Sequence, residues 1–235
     1  MLLTLIQPSI EIWNLQVDEP ITTLTDLLLA TVSFYAFFRI GRQGERGRFR
    51  GYIRFYFLCL GLGALTGGLL GHAFLYRIAP GWKLISWVLA ILSVSLMVHA
   101  IVEMSRPVVR VRLARMILLI NWFLMPLALF LTLSRLSFSP VTLYTIYGML
   151  LVVGSLSFYM YVKTGCKGVT RFLVAVGLGV VSALIFSKQW GLSPWFNHND
   201  ISHTILAVSA LLIYQGGMRV MDVQGPGIAM RKFSI

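Results

Sequence analysis

The sequence predicts an all-α membrane protein, a bundle of seven transmembrane helices. Three observations carry that reading. Of the 235 residues, 57% are hydrophobic and only 12% are charged, whereas a soluble domain of this size carries about 25% charged residues. The apolar stretches are long and do not alternate with polar residues, which favours helices over a barrel. Among lipids only helices and closed barrels satisfy their own backbone.

Seven stretches approach the roughly 20 residues that a membrane-crossing helix needs. They are Ile21–Arg39, Tyr52–Leu75, Lys83–Ile101, Met116–Leu133, Val141–Tyr161, Phe172–Phe186 and Ile201–Gln215. The first follows "MLLTLIQPSIEIWNLQVDEP". That segment has neither a basic start nor a small-residue cleavage site, so residues 1–20 read as a short interfacial segment, with Pro20 opening the first helix. Residues 216–235 read as a tail. No internal repeat, low-complexity segment or soluble domain interrupts this single-domain plan.

The net charge of +12 follows from topology. If the spans alternate in direction, one end of the bundle collects Arg39, Arg42, Arg46, Arg48, Arg50 and Arg54, then Arg106, Arg110, Arg112 and Arg115. It also collects Lys163, Lys167, Arg171, Arg219, Arg231 and Lys232, making sixteen of the 20 basic residues. The positive-inside rule makes that end cytoplasmic, with the N-terminus outside. A nucleic-acid partner is therefore not needed, and contact with anionic lipid is expected. The opposite end holds Glu11, Asp18, Glu19, Asp26 and Asp200, and a belt of Trp13, Trp82, Trp190 and Trp195. Cys59 and Cys166 fall too far apart in this plan for a disulfide or a metal pair. The chain is expected in a plasma membrane, the bacterial inner membrane, with its oligomeric state open.

Three histidines and one carboxylate fall at one depth near the outer face. His72 ends the second span, His198 and His203 open the seventh, and Asp26 lies about a turn and a half into the first. An ionisable side chain within a span costs about 2.5–3.5 kcal/mol on insertion scales and marks a candidate functional site. Three imidazoles with a carboxylate are also the ligand inventory of a catalytic zinc centre. His198 and His203 stand five apart, about 140° around a regular helix. They share one ion if Asn199 or Asp200 caps the helix and His198 lies before it. Asp200 reads as that cap, and His99 as a helix-end histidine at the other face. Glycines in "GLGALTGGLLGH" (Gly63, Gly67, Gly71), and Ala175, Gly179 and Ala183 in the sixth span, are expected at close helix contacts.

Seven helices, a histidine late in the second and a histidine pair opening the seventh resemble the CREST superfamily. That group contains the alkaline ceramidases, the adiponectin and progestin receptors and the Per1-type lipid-remodelling hydrolases. "EPITTLTD", "GGLLGHAF" and "FNHNDISH" are also similar to a family of bacterial membrane proteins loosely associated with it. The resemblance implies an intramembrane Zn2+ held by His72, His198 and His203, with hydrolysis of a lipid amide or ester. The chain departs from the pattern in three places. Gly68 stands where the superfamily has a serine, the third span as drawn has no acid, and the last pair is spaced by five rather than four. Asp26 would fill the acid's role as catalytic group. Two other readings remain open from sequence: a lipid-binding receptor or sensor with a structural metal, and a haem protein using His72 and His203.

Overall fold

The computed structural model describes residues 7–43, 47–77 and 79–223. All seven expected spans are present as helices long and apolar enough to cross a membrane. They are α1 (Pro20–Gly41), α2 (Arg48–Ala73), α3 (Lys83–Ser105), α4 (Val111–Arg135), α5 (Ser139–Thr164), α6 (Lys167–Lys188) and α7 (His198–Val223). Most run past the expected ends. Hydropathy marks only the lipid-buried stretch, and Arg48, Arg50, Arg112 and Lys167 continue the helices into the interface. The expected tail therefore begins inside α7; residues 224–235, with Arg231 and Lys232, lie outside the described residues, as does Arg46. Because α3 reaches Ser105 it does contain an acid, Glu103, at its basic end, where it pairs with Arg106 at 2.7 Å.

Within the expected interfacial segment ahead of α1, the structure shows a feature the sequence did not suggest. A two-stranded antiparallel hairpin, β1 (Ile10–Ile12) and β2 (Leu15–Val17), turns at Trp13 and Asn14. Both turn residues have positive φ, 49° and 61°, the pair a tight two-residue hairpin turn requires. Asp18 ties the hairpin to the end of α2: its amide donates to the Ala73 carbonyl at 3.1 Å, and its carboxylate accepts the Tyr76 amide at 2.8 Å.

α1 packs between α2 and α7, α3 covers the far side of α2, and α6 covers α7. α4 lies at the periphery and turns Leu119, Trp122, Phe123 and Phe130 outward, an apolar surface suited to lipid rather than water. Inside, Ile40, Ile53, Phe57, Met97, Ile101, Phe172 and Ile213 form the core. A buried polar relay joins α3, α4 and α5. The Asn121 amide donates to Ser95 Oγ at 2.9 Å, and the Tyr144 hydroxyl donates to Asn121 Oδ1 at 2.7 Å.

The expected small-residue contacts hold on α2, where a Cβ on Gly63 would sit 3.4 Å from Leu89 of α3. On α6 the expectation holds only at Ala175, fully buried with its carbonyl accepting from Ser209 Oγ of α7 at 2.9 Å. Gly179 has open space beside it and Ala183 is exposed. The helix also meets α7 at Gly168, where a Cβ on Gly216 would fall 2.8 Å from the Gly168 carbonyl oxygen and 2.9 Å from Phe172. Gly216→Ala should therefore lower stability by about 1–3 kcal/mol, the usual cost of overpacking. Gly179→Ala should leave it unchanged or slightly raised, since alanine favours helix. Thermal unfolding of the two variants in detergent checks this; equal midpoints would contradict the assigned crossing.

Candidate metal centre

The site grows from one stripe of α1. Glu19, Thr22, Thr23 and Asp26 recur at helical spacing, so they share a face. That face is turned between α2 and α7, and Asp26 is only 5% exposed. α2 approaches so closely here that a Cβ on Gly68 would lie 2.9 Å from Asp26 Cβ and 3.5 Å from the Thr23 carbonyl. A side chain at position 68 would therefore meet Asp26.

From Gly67 to Ala73 the second span is π-helical, closing with the Phe74 amide on the Leu69 carbonyl at 3.1 Å. Such widened turns recur at functional sites. His72 lies in this one. Its Nδ1 is 2.5 Å from Glu19 Oε2, and its Nε2 is 3.9 Å from Asp26 Oδ2. A neutral imidazole carries one donor and one acceptor nitrogen. With Nδ1–H donated to Glu19, the Nε2 lone pair faces Asp26, the arrangement by which a carboxylate orients a ligating histidine. From α7, His203 brings Nδ1 to 3.3 Å from Asp26 Oδ1. That nitrogen is buried and makes no hydrogen bond among the described residues. The two imidazole centroids are 6.0 Å apart.

Burial raises the Glu19 carboxyl, but the hydrogen bond from His72 and the electrostatic attraction of His72 and Lys83 outweigh it. The net result is a value below the ordinary 4.5.

His198 departs from the expectation. α7 begins at His198, not after it. The cap is Asn197, whose Oδ1 accepts the Asn199 amide at 2.8 Å. Asp200 is not the cap residue. Its carboxylate is fully buried and ties three segments together, accepting from Thr22 Oγ1 at 2.7 Å, the Asn197 amide at 2.6 Å and Gln7 Nε2 at 3.2 Å. Being helical, His198 is held at the five-residue angle from His203, and its ring packs on Phe186 of α6 at 5.7 Å. The structure thus gathers Asp26, His72 and His203, and sets His198 beside a phenylalanine.

Residues 21–222 match DUF6962, a family of unknown function. The chain belongs to that family. The match contains Asp26, His72, His198 and His203. No curated protein and no solved structure matches the chain.

Two separations in this cluster, one to each oxygen of Asp26, can be compared with the spacing of ligands around a small divalent cation. Two ligands each about 2.0–2.2 Å from a tetrahedral zinc ion stand about 3.3–3.6 Å apart. The His203–Asp26 separation of 3.3 Å matches that edge, and the His72–Asp26 separation of 3.9 Å exceeds it by a few tenths of an ångström. Among the described residues no three such side chains already stand at full ligating geometry. His99 lies apart, with Nδ1 2.9 Å from the Ser95 carbonyl and its ring on Tyr52. Thr66 bonds the Leu62 carbonyl of its own helix, and both cysteines are free thiols.

Glu19 was invisible to the sequence reading because it precedes the helix. Its spacing of seven from Asp26, two helical turns, was the available signal. Two measurements follow. Gly68→Ser should displace Asp26 and cost about 1–3 kcal/mol, read as a fall in thermal midpoint. The Glu19 pair, having a lowered folded pKa, contributes its stability in full above about pH 4.5 and loses it as pH falls through the lower folded value. Glu19→Gln should therefore flatten the acid limb of a stability–pH profile, and an unchanged limb would contradict the pairing.

Proposed function

We propose that the outer-end cluster binds Zn2+ and that the protein hydrolyses a lipid amide or ester, in the manner of the CREST superfamily it resembles. The observation supporting this reading most strongly is the buried, unbonded Nδ1 of His203 facing the same carboxylate as the Nε2 of His72. A polar nitrogen buried without a partner costs about 1–3 kcal/mol, and a cation shared with His72 removes that cost at His203. His72, His203 and Asp26 would hold the ion, leaving an open position as catalytic zinc sites do. His198, part of the set the resemblance implies, packs its ring on Phe186 and is left outside this inner three in our assignment.

When bound, zinc polarises an acyl carbonyl and acidifies water to a pKa near 7. The protein's own residues do the rest. Glu19 fixes the tautomer of His72. Asp26 presents one oxygen toward each histidine, so that one can anchor while the other accepts a proton from water. The Gln7, Thr22 and Asp200 bonds hold the first turns of α1 and α7 in register, which sets the distance between Asp26 and His203. By the positive-inside rule we place this site at the non-cytoplasmic face of a bacterial inner membrane, at headgroup depth, where the acyl linkage of a membrane lipid lies.

Metal analysis of purified protein tests the first step. Wild type should retain about one zinc per chain; His72→Ala, His203→Ala and Asp26→Asn should lose it, and His198→Ala should keep it. Loss in His198→Ala with retention in His203→Ala would reverse the ligand assignment. Incubation with mixed lipids and mass spectrometry tests the second. Release of free fatty acid that stops in Asp26→Asn supports hydrolysis, and metal retained without turnover supports a lipid sensor instead.

A further inference from the structure

At the basic end of the bundle, far from the histidines, α1 and α2 enclose a cavity of about 430 Å³. Gly41, Gln43, Gly47, Arg50, Gly51 and Arg54 line it, and Phe55 forms an apolar wall. Arg54 is built into this cavity. Its guanidinium lies over the Phe37 ring at 4.5 Å. On its other side it rests on Gly41, where a Cβ would come within 3.0 Å of the guanidinium carbon, Nε and Nη2. Any other residue at 41 would push the guanidinium away. Held in this way, Arg54 has its Nε buried with no hydrogen-bond partner among the described residues. Arg50 closes the neighbouring wall by donating to the Ile40 and Gly41 carbonyls, both at 3.0 Å.

An arginine fixed by packing, with a buried unsatisfied Nε–H, matches a planar two-oxygen anion. Nε–H and an adjacent Nη–H form the fork that binds carboxylate or phosphate through two parallel hydrogen bonds. We propose that this cavity binds a phosphate group, carried by an anionic phospholipid whose chain lies along the exposed ring of Phe55. Phe55 is 49% exposed and continues the apolar outer surface of α2, which gives a lipid phosphate an advantage over free phosphate. The inference is independent of the zinc reading, because no residue is shared.

The test is native mass spectrometry of detergent-purified full-length protein titrated with phosphatidylglycerol, with phosphatidylcholine, and with inorganic phosphate. One phosphatidylglycerol should bind wild type in preference to phosphatidylcholine. Arg54→Ala should weaken it about tenfold or more, the loss of a charge-assisted hydrogen-bond partner. Gly51→Glu is a second probe: a Cβ there meets nothing within 4 Å, so the fold tolerates it while its carboxylate opposes the anion. It should weaken binding similarly, whereas Arg112→Ala, an equal charge change on α4, should alter it less than twofold. Saturation by inorganic phosphate with loss of the lipid preference would overturn the lipid source. Equal weakening by all three variants would reduce the effect to general surface charge and overturn the site.

Discussion

A carboxylate buried between apolar helices has to be met by polar partners or by a cation, and Asp26 imposes that condition on everything around it. It is 5% exposed, on a helix that also buries the apolar Leu29, Ala30, Ala36 and Ile40 below it. Helix association in lipid has no hydrophobic driving force of its own and depends on close packing and polar contacts. Asp26 supplies the polar contact for both neighbours, reaching His72 on α2 and His203 on α7. Gly68 supplies the close approach. A larger residue at 68 would hold α2 away, and the histidine four residues later would not arrive at the same carboxylate.

A second polar layer lies above the first and keeps it in register. Asp200 bonds Thr22 across the α1–α7 contact, and Gln7 bridges back to the Ile21 amide at 2.9 Å and the Trp195 carbonyl at 3.0 Å. Every one of these groups would be costly to bury alone. Together they fix the start of both helices, so the residues one or two turns down meet at defined distances. Asp200 therefore acts through position, not through the chemistry of the histidine cluster.

The seven spans were legible because hydropathy over twenty residues is a strong signal, and alternation of direction then put His72, Asp26 and His203 at one depth. What sequence could not show is angular. His198 and His203 were expected to converge if the helix began late, but Asn197 offers the amide-capping oxygen two residues earlier than Asn199 and three earlier than Asp200. That shift places His198 within the regular helix and turns it onto Phe186. The gap between the spans hid Glu19, since a carboxylate ahead of a helix reads as solvated charge. The π-helical turn at Gly67–Ala73 likewise leaves no trace in hydropathy. The small-residue pattern on α6 held at Ala175 but not at Gly179 or Ala183 for a related reason: spacing identifies a stripe, but only the neighbouring helix decides how far the stripe is an interface.

The two ends of the bundle handle buried charge by opposite means. At the histidine end, acids and imidazoles face each other across helices, and their pairing leaves the Nδ1 of His203 buried without a hydrogen bond. At the other end, cations dominate and have few acids to meet; Glu103 is taken up by Arg106, with Arg48 at 3.9 Å. Arg54 is left to aromatic packing, which attracts its charge without satisfying its hydrogens. A cluster whose members leave nitrogen lone pairs exposed to one another suits a cation, and one that leaves N–H donors unsatisfied suits an anion. Both demands arise within the same pair of helices, α1 and α2, about 22 Å apart along α1 at 1.5 Å per residue from Asp26 to Gly41. The spacing of small residues on those helices, Gly41 at one end and Gly68 at the other, is what allows each charged side chain to lie between backbones instead of turning outward to water.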